Sequence, residues 1–438
     1  MKTLLSTLLA SVLTFCAAAE GKPAVSLTVT PERDIIPSAG GRETVVQIEL
    51  RAGEAVKKRT LPINLAVVLD RSGSMAGAKL EKARQAAAVA LDQLGTDDYF
   101  SVVVYDDEAA LLIPPQKAVD KETLKEKIHA IRDGGGTALY AGVEKGAAQL
   151  RKYFDKEKVN RIILLSDGNA NVGPSKPSDL AKLGKELREE GQSVSTVGLG
   201  DDYNEDLMTA LAEASHANYY YVKNVEKLPG IFAEELGTVK SVVARNVKVT
   251  ITLPEGVKPK AVLGEDDIAF RGQSVTIPLS DFYGSQTRRF LISCETPEGG
   301  EEKLELAAVE LAYDETESGR AGGDRQSAWV QRSADAKAVE DSVRADVAAN
   351  SAIIDNRLAK ERAVKLADAG QPREAADVLL RQAASNAALP AAAQSSLLQQ
   401  ENEVLREKAE ELQNTGAWSK ASRKEVQYQN YQDKKQKR

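Results

Sequence analysis

Three oxygen-bearing side chains stand at alternate positions in the string Asp70-Arg71-Ser72-Gly73-Ser74-Met75. The string follows Leu65-Ala66-Val67-Val68-Leu69, a continuous apolar run of the kind found in a strand buried on both faces. An amphipathic helix follows from Lys79. A carboxylate and two hydroxyls in such a strand-to-helix loop can face one hard cation, which takes oxygen ligands. Lacking His and Cys, the set suits Mg²⁺, Mn²⁺ or Ca²⁺ and not zinc or copper. Two more strings carry matching groups. Gly134-Gly135-Gly136-Thr137 offers a hydroxyl after glycines that permit tight turns, just before a helix from Ala138. Ser166-Asp167-Gly168 places a carboxylate after the strand 161–165, at the same sheet edge as Asp70 if the two strands run parallel. Each string alone is a weak signal. All three in this order, each at the end of a strand or helix, make Asp70, Ser72, Ser74, Thr137 and Asp167 the candidate metal ligands.

The elements that must position them fill residues 61–239. Strand-like and helix-like stretches alternate there: helix 79–94, strand 99–105, helices 121–131 and 138–153, strand 161–165, helix 178–190, strand 193–199, helix 204–214, strand 218–222 and helix 225–236. Repeated alternation predicts an α/β fold with a doubly wound, mostly parallel sheet and helices on both faces. Ligands of such sheets bind beyond the carboxyl ends of the strands. On either side the pattern has period two, in 24–60 and again in 240–313, so each segment has one buried face. Neither is large enough to fold alone. The expectation is one β-sandwich made of both, with the α/β domain inserted between them. Residues 314–326, polar and glycine-containing, read as a linker. Residues 327–415 read as helical. Within them Gly370-Gln371-Pro372 marks a helix stop and restart, and Leu398, Leu405 and Leu412 recur at seven-residue spacing. Residues 416–438 read as a basic polar tail, with seven Lys and Arg against Glu425 and Asp433. At the other end, Lys2, the apolar run 4–15 and Ala17-Ala18-Ala19 form a secretory signal over 1–19. Bulky Phe15 argues against a lipid anchor on Cys16.

Residues 61–239 resemble a von Willebrand factor type A domain. Asp-Arg-Ser-Gly-Ser-Met after a strand, Gly-Gly-Gly-Thr-Ala-Leu before a helix and Leu-Leu-Ser-Asp-Gly after a strand match that family's metal-ion-dependent adhesion site. The flanking β segments also resemble bacterial secreted members and the inter-alpha-trypsin inhibitor heavy chains, in which a sandwich frames the domain. The resemblance implies that Ser72, Ser74 and Thr137 contact the cation directly. Asp70 and Asp167 would contact it directly or through water, and an acidic residue of a protein partner would complete the coordination.

Composition narrows the remaining choices. The chain has 438 residues, with 58 Lys and Arg against 65 Asp and Glu, a net charge of −7. Such a balance disfavours a nucleic-acid-coating role, which needs surplus positive charge. Two Cys and two His, His129 and His216, exclude a disulfide scaffold and leave little for a catalytic triad. No G-x-S-x-G, phosphate-binding G-x-x-x-x-G-K or H-E-x-x-H string occurs. The reading is therefore an exported binding module, not an enzyme. A structural scaffold with a disused metal site is the alternative, followed by a metal-assisted hydrolase. Asp106-Asp107-Glu108 reads as a solvated loop, and Tyr219-Tyr220-Tyr221 as strand residues packed in the core.

Overall fold

The computed structural model describes residues 23–54, 61–265, 268–279, 281–389 and 395–436. The expected signal at 1–19, with Cys16, lies outside them. Three strands open the described chain: β1 (Val25–Pro31), β2 (Ile35–Pro37) and β3 (Glu43–Ala52). The α/β region follows as β4 (Ile63–Asp70), α1 (Ala78–Gln93), β5 (Tyr99–Tyr105), β6 (Ala109–Lys117), α2 (Lys121–His129) and α3 (Leu139–Lys152). It continues as β7 (Val159–Ser166), α4 (Pro177–Glu189), β8 (Gln192–Leu199), α5 (Glu205–Ala214), β9 (Tyr219–Val222) and α6 (Leu228–Lys240).

The sheet of this region runs β6-β5-β4-β7-β8-β9. All its pairs are parallel except β5 with β6. Strand β6 carries Pro114 and Pro115, which a sheet tolerates at its edge, where one side of the backbone needs no partner. Every residue of β4 is buried. Leu65, Val67 and Leu69 join one core with Leu80 of α1 and Phe232 of α6. Ala66 and Val68 face the opposite way, toward Val143 of α3 and Leu180 of α4. Helix α3 packs closely on β4 because Gly146 has no side chain: a methyl there would lie 2.6 Å from Val68 Cγ2. Strand β4 pairs with β5 on one side and β7 on the other. The winding therefore reverses beside its carboxyl end, where Asp70 sits, and doubly wound sheets bind ligands at that point.

The second β segment supplies β10 (Val242–Thr252), β11 (Lys258–Val262), β12 (Ser274–Pro278), β13 (Phe282–Tyr283), β14 (Thr287–Glu295), β15 (Lys303–Glu315) and β16 (Ala321–Ser333). Two sheets result, β1-β3-β14-β11 and β12-β10-β15-β16-β2, with β13 paired to β10. They share one core, to which Val25, Ile48 and Ile292 contribute from one side and Val249, Leu306 and Leu311 from the other. Each such fully buried side chain contributes about 1.5–3 kcal/mol. The α/β domain is thus inserted in a β-sandwich.

Three expectations for the rest of the chain need correction. Residues 314–326 are no linker: β15 and β16 form an antiparallel hairpin, paired from Lys303↔Gln331 to Asp314↔Ala321. Only Ala328 and Val330 of β16 are buried, so the strand is mostly polar and reads as loop. Gly322 leaves room for the Tyr313 ring, which a methyl would meet at 2.5 Å. Helical structure accordingly starts after Ser333, with α7 (Ala336–Asp341), α8 (Ala345–Asp368), α9 (Pro372–Ala387), α10 (Ser396–Thr415) and α11 (Lys420–Lys435). The α8–α9 turn uses Gly370 at φ 76°, with Pro372 in the first turn of α9. Leu405 and Leu412 pack on Leu379 and Ala363. Most of the expected polar tail, Lys420–Lys435, is α11, and it docks on the α/β domain. Its Arg423 pairs with Glu205, Asp206 and Asp368, and Lys434 pairs with Glu213. The Tyr431 hydroxyl donates to Ala217 O at 2.8 Å, and its ring meets Tyr219 edge-on. Arg423, Lys424 and Lys434 of the expected tail thus meet carboxylates of α5 and α8.

Candidate metal centre

Asp70, at the carboxyl end of β4, is fully buried. Its Oδ1 accepts from Ser72 N at 2.8 Å, folding the loop back on the strand. Its Oδ2 accepts from the Ser166 hydroxyl at 2.8 Å, tying β4 to the end of β7. The Ser72 and Ser74 hydroxyls lie 3.1 Å apart. Ser74 Oγ donates to Asp167 Oδ1 at 2.7 Å. Four of the five expected residues therefore form one hydrogen-bonded network. Thr137 joins them across Gly168: a methyl on Gly168 would stand 3.4 Å from both Ser74 Oγ and Thr137 Oγ1. The absent side chain leaves the hydroxyls a shared space.

The glycine string is held from outside. Gly134 N donates to Arg71 O at 2.6 Å, and Gly73 N to Gly135 O at 3.0 Å. Gly136 N donates to Asp107 Oδ1 at 2.9 Å, while Asp106 pairs with Arg71 at 2.7 Å. Thr137 N donates to Asn171 Oδ1 at 2.8 Å. The acidic stretch 106–108, expected as a solvated loop, is a clamp on two of the site loops. A side chain at Gly135 would overlap the Asp107 carboxylate.

The charge pattern suits a cation. Burial pushes the Asp70 carboxyl up to about 6; hydrogen bonds from Ser72 and Ser166 oppose the rise, and the negative charge of Asp167 adds to it. Asp167, also fully buried, already has one cation: Lys79 Nζ lies 2.5 Å from its Oδ2. Among the described residues no three His, Cys, Asp or Glu cluster as a metal site. The donors here are two carboxylates and three hydroxyls, an all-oxygen set that fits Mg²⁺, Mn²⁺ or Ca²⁺. The ammonium on Asp167 is a built-in stand-in for that positive charge.

Residues 64–234 match the family model of the von Willebrand factor type A domain. This region is a type A domain. Over 287 residues the chain is 29% identical to the uncharacterized protein sll0103 of Synechocystis sp., covering 63% of this chain and 68% of that one. Over 164 residues it is 27% identical to inter-alpha-trypsin inhibitor heavy chain H3 of Pongo abelii, covering 36% of this chain and 19% of the heavy chain. The chain thus spans under a fifth of that relative. A solved type A structure from Catenulispora acidiphila superposes with a TM-score of 0.66 at 18% identity, over 89% of this chain and 95% of that one. The shared fold therefore extends beyond the type A domain to the sandwich and helices.

Sequence reasoning missed four supporting residues of the type A domain. Ser166 was legible as a hydroxyl at the end of β7, next to Asp167. Asp107 and Asn171 act on the glycine string from loops 29 and 34 residues away, with no local signal. Lys79 reads as an ordinary first-turn helix residue, although α1 aims it at a carboxylate 88 residues later.

Proposed function

We propose that the type A domain holds a divalent cation, Mg²⁺, Mn²⁺ or Ca²⁺, on Asp70, Ser72, Ser74, Thr137 and Asp167, and binds an Asp or Glu carboxylate of a partner protein there. The observation that carries this reading is the convergence of five oxygen side chains at the reversal point of the sheet, with an ammonium against one of them. When bound, the cation supplies an electrophilic centre for an incoming carboxylate. Asp70, held by Ser72 N and the Ser166 hydroxyl, fixes the first loop in place. Asp167 is oriented by Ser74 and Lys79. With only two carboxylates among the donors, the site has room for one more negative ligand. We infer binding, not catalysis, and an exported protein, in the periplasm or beyond it, on the signal read at 1–19. Among the described residues no helix is long and apolar enough to cross a membrane.

Calorimetric titration of Mg²⁺ into the chain lacking residues 1–19, beside Asp70→Ala, tests the site. Binding in the parent and none in the variant supports it. A pull-down with Mg²⁺ against EDTA then tests the partner's dependence on the cation. Absence of binding for Mg²⁺, Mn²⁺ and Ca²⁺ alike would overturn the proposal. The Lys79–Asp167 pair favours a second reading, a scaffold whose site is closed by its own ammonium. That reading predicts no metal binding until Lys79 is replaced.

A further inference from the structure

Three of the six large apolar side chains exposed among the described residues share one place. Val119 is 63% exposed, Tyr153 40% and Phe154 38%. They stand at the amino edge of the type A sheet, opposite the edge that carries Asp70. Tyr99 opens β5 and pairs with Lys117, the last residue of antiparallel β6. Val119 follows close behind, next to Ala118, whose N donates to Asp98 O at 3.1 Å. Tyr153, just past the end of α3, stacks on Tyr99 with ring centroids 4.2 Å apart. Phe154 continues the row toward the start of β8: a methyl on Gly191 would lie 3.1 Å from its ring. In the sheet order β6-β5-β4-β7-β8, the row crosses four strand spacings of ~4.8 Å, roughly 19 Å in all.

Single exposed apolar residues are normal on a protein surface, but a row of them marks an interaction site. This row is also held still. The Tyr99 ring has Tyr153 stacked on it and the ammonium groups of Lys117 and Lys158 at 4.5 and 4.8 Å from its centroid. Side chains fixed beforehand lose little freedom on binding. Tyr and Phe are enriched at protein interfaces.

The flanking charges choose the occupant. Lys117 pairs with Asp97 and Lys158 with Asp155, each at 3.8 Å, and Arg151 with Glu190 at 2.8 Å. Exposed Lys152 and Lys156 are matched in number by exposed Asp120 and Glu157. A lipid surface or a polyanion requires surplus positive charge, which is lacking here. A two-fold contact sets a patch against itself, so a patch of one sign repels its copy. A balanced patch does not, and it offers each charge an opposite one while ring meets ring.

We propose that this row docks a second copy of the chain, as a two-fold dimer built on Val119, Tyr99, Tyr153 and Phe154. The metal edge of each copy is the opposite edge of its sheet, so the dimer leaves both metal sites open. A partner displaying repeated carboxylates would then be held at two points, which raises avidity without any new contact. The pairing is independent of the metal; the two-point capture rests on the cation reading of Asp70 and its neighbours.

Sedimentation equilibrium of the chain lacking residues 1–19, in EDTA, reads the pairing apart from the metal site. The expected result is a reversible association whose mass approaches twice that of the chain as concentration rises. Phe154→Glu and Val119→Glu each put a charge into the apolar row of both copies and should weaken association about tenfold or more. Both positions are exposed, so the variants should melt as the parent does, and either one suffices for the test. Leu380→Glu, on α9 and equally exposed, should pair like the parent. Association should persist at about 1 M salt, where charges are screened beyond about 3 Å. A parent still monomeric at hundreds of micromolar, or equal association by parent, Phe154→Glu and Val119→Glu, would overturn the proposal. A monomer that binds vesicles or a glycan through Phe154 would overturn it too and assign the row to that ligand. Absence of Mg²⁺ binding in a chain that does pair would remove only the two-point capture.

Discussion

Replacing Lys79 by Met should tighten cation binding at the type A site. The Lys79 ammonium lies 2.5 Å from Asp167, whose side chain is fully buried while that of Lys79 is 34% exposed. Without a metal, this ammonium compensates a carboxylate that burial has stripped of water. A hydrogen bond to a charged group contributes about 1.5–3 kcal/mol. Solvent around Lys79 screens the pair, which puts the value near the lower end, about 1.5 kcal/mol. An entering cation competes with that interaction, so Lys79→Met should lower the Kd for Mg²⁺ by about tenfold. Methionine retains the aliphatic stem, so packing along α1 changes little. The assay is calorimetric titration of parent and variant, with Asp70→Ala as the zero. The metal-free variant should also melt at lower temperature, since Asp167 loses its counter-charge, and Mg²⁺ should restore it. Equal or weaker Mg²⁺ binding by Lys79→Met would refute the reasoning and make Lys79 a support of the loaded site, not a competitor.

Three further outcomes follow from buried groups elsewhere. Lys360 of α8, 1% exposed, bonds Glu401 of α10 and Asp433 of α11 at 2.8 and 2.9 Å. Lys360→Met, which deprives both carboxylates of that cation, should cost about 3–5 kcal/mol in urea unfolding. Cys294 is buried and its thiol is pushed up to about 12 by that burial. It should resist iodoacetamide at pH 8 in the native chain and react once the chain is unfolded, as peptide mass mapping would read. His216 is held at about 3 in the fold against an ordinary 6.5, so the unfolded chain binds the extra proton. Stability therefore falls as pH drops from about 6.5 toward 3. Between pH 7 and 5 the loss is about 1–2 kcal/mol, and a His216→Asn variant should lack this part of the slope.

How much could be read in advance depends on the distance between partners in the chain. The run 65–69 announces a strand covered on both faces because every position is apolar. The five metal-site residues sit in short strings beside such runs, so their grouping at one sheet edge was readable once the strands were taken as parallel. Strand β16 escaped notice because only two of its side chains face the core. Strand β6 escaped because two prolines argue against a strand unless it lies at an edge. Helix α11 looked like a solvated tail because its acidic partners, Glu205 and Asp206, lie more than 200 residues earlier. Its charge is visible in the sequence and its neutralisation is not.

The route of the chain through the sandwich has a consequence for its assembly. Strand β3 ends at Ala52 and β10 begins at Val242, a separation of 242 − 52 = 190 residues. Next to that exit and return, Gly53 O accepts from Ser285 N, and Gly284 N donates to Ser241 O. The type A domain leaves and re-enters at nearby points. Bringing β3 and β10 into one core with a loose connection of that length would carry a closure entropy that grows as (3/2)RT ln n. Once the inserted domain is folded, the connection behaves as one of a few residues. The difference is roughly 3 kcal/mol in favour of closing the sandwich. The domain that carries the metal site is thus also a covalent tether of fixed span. Loosening its core should slow or weaken closure of the sandwich around it, even where no sandwich contact is touched.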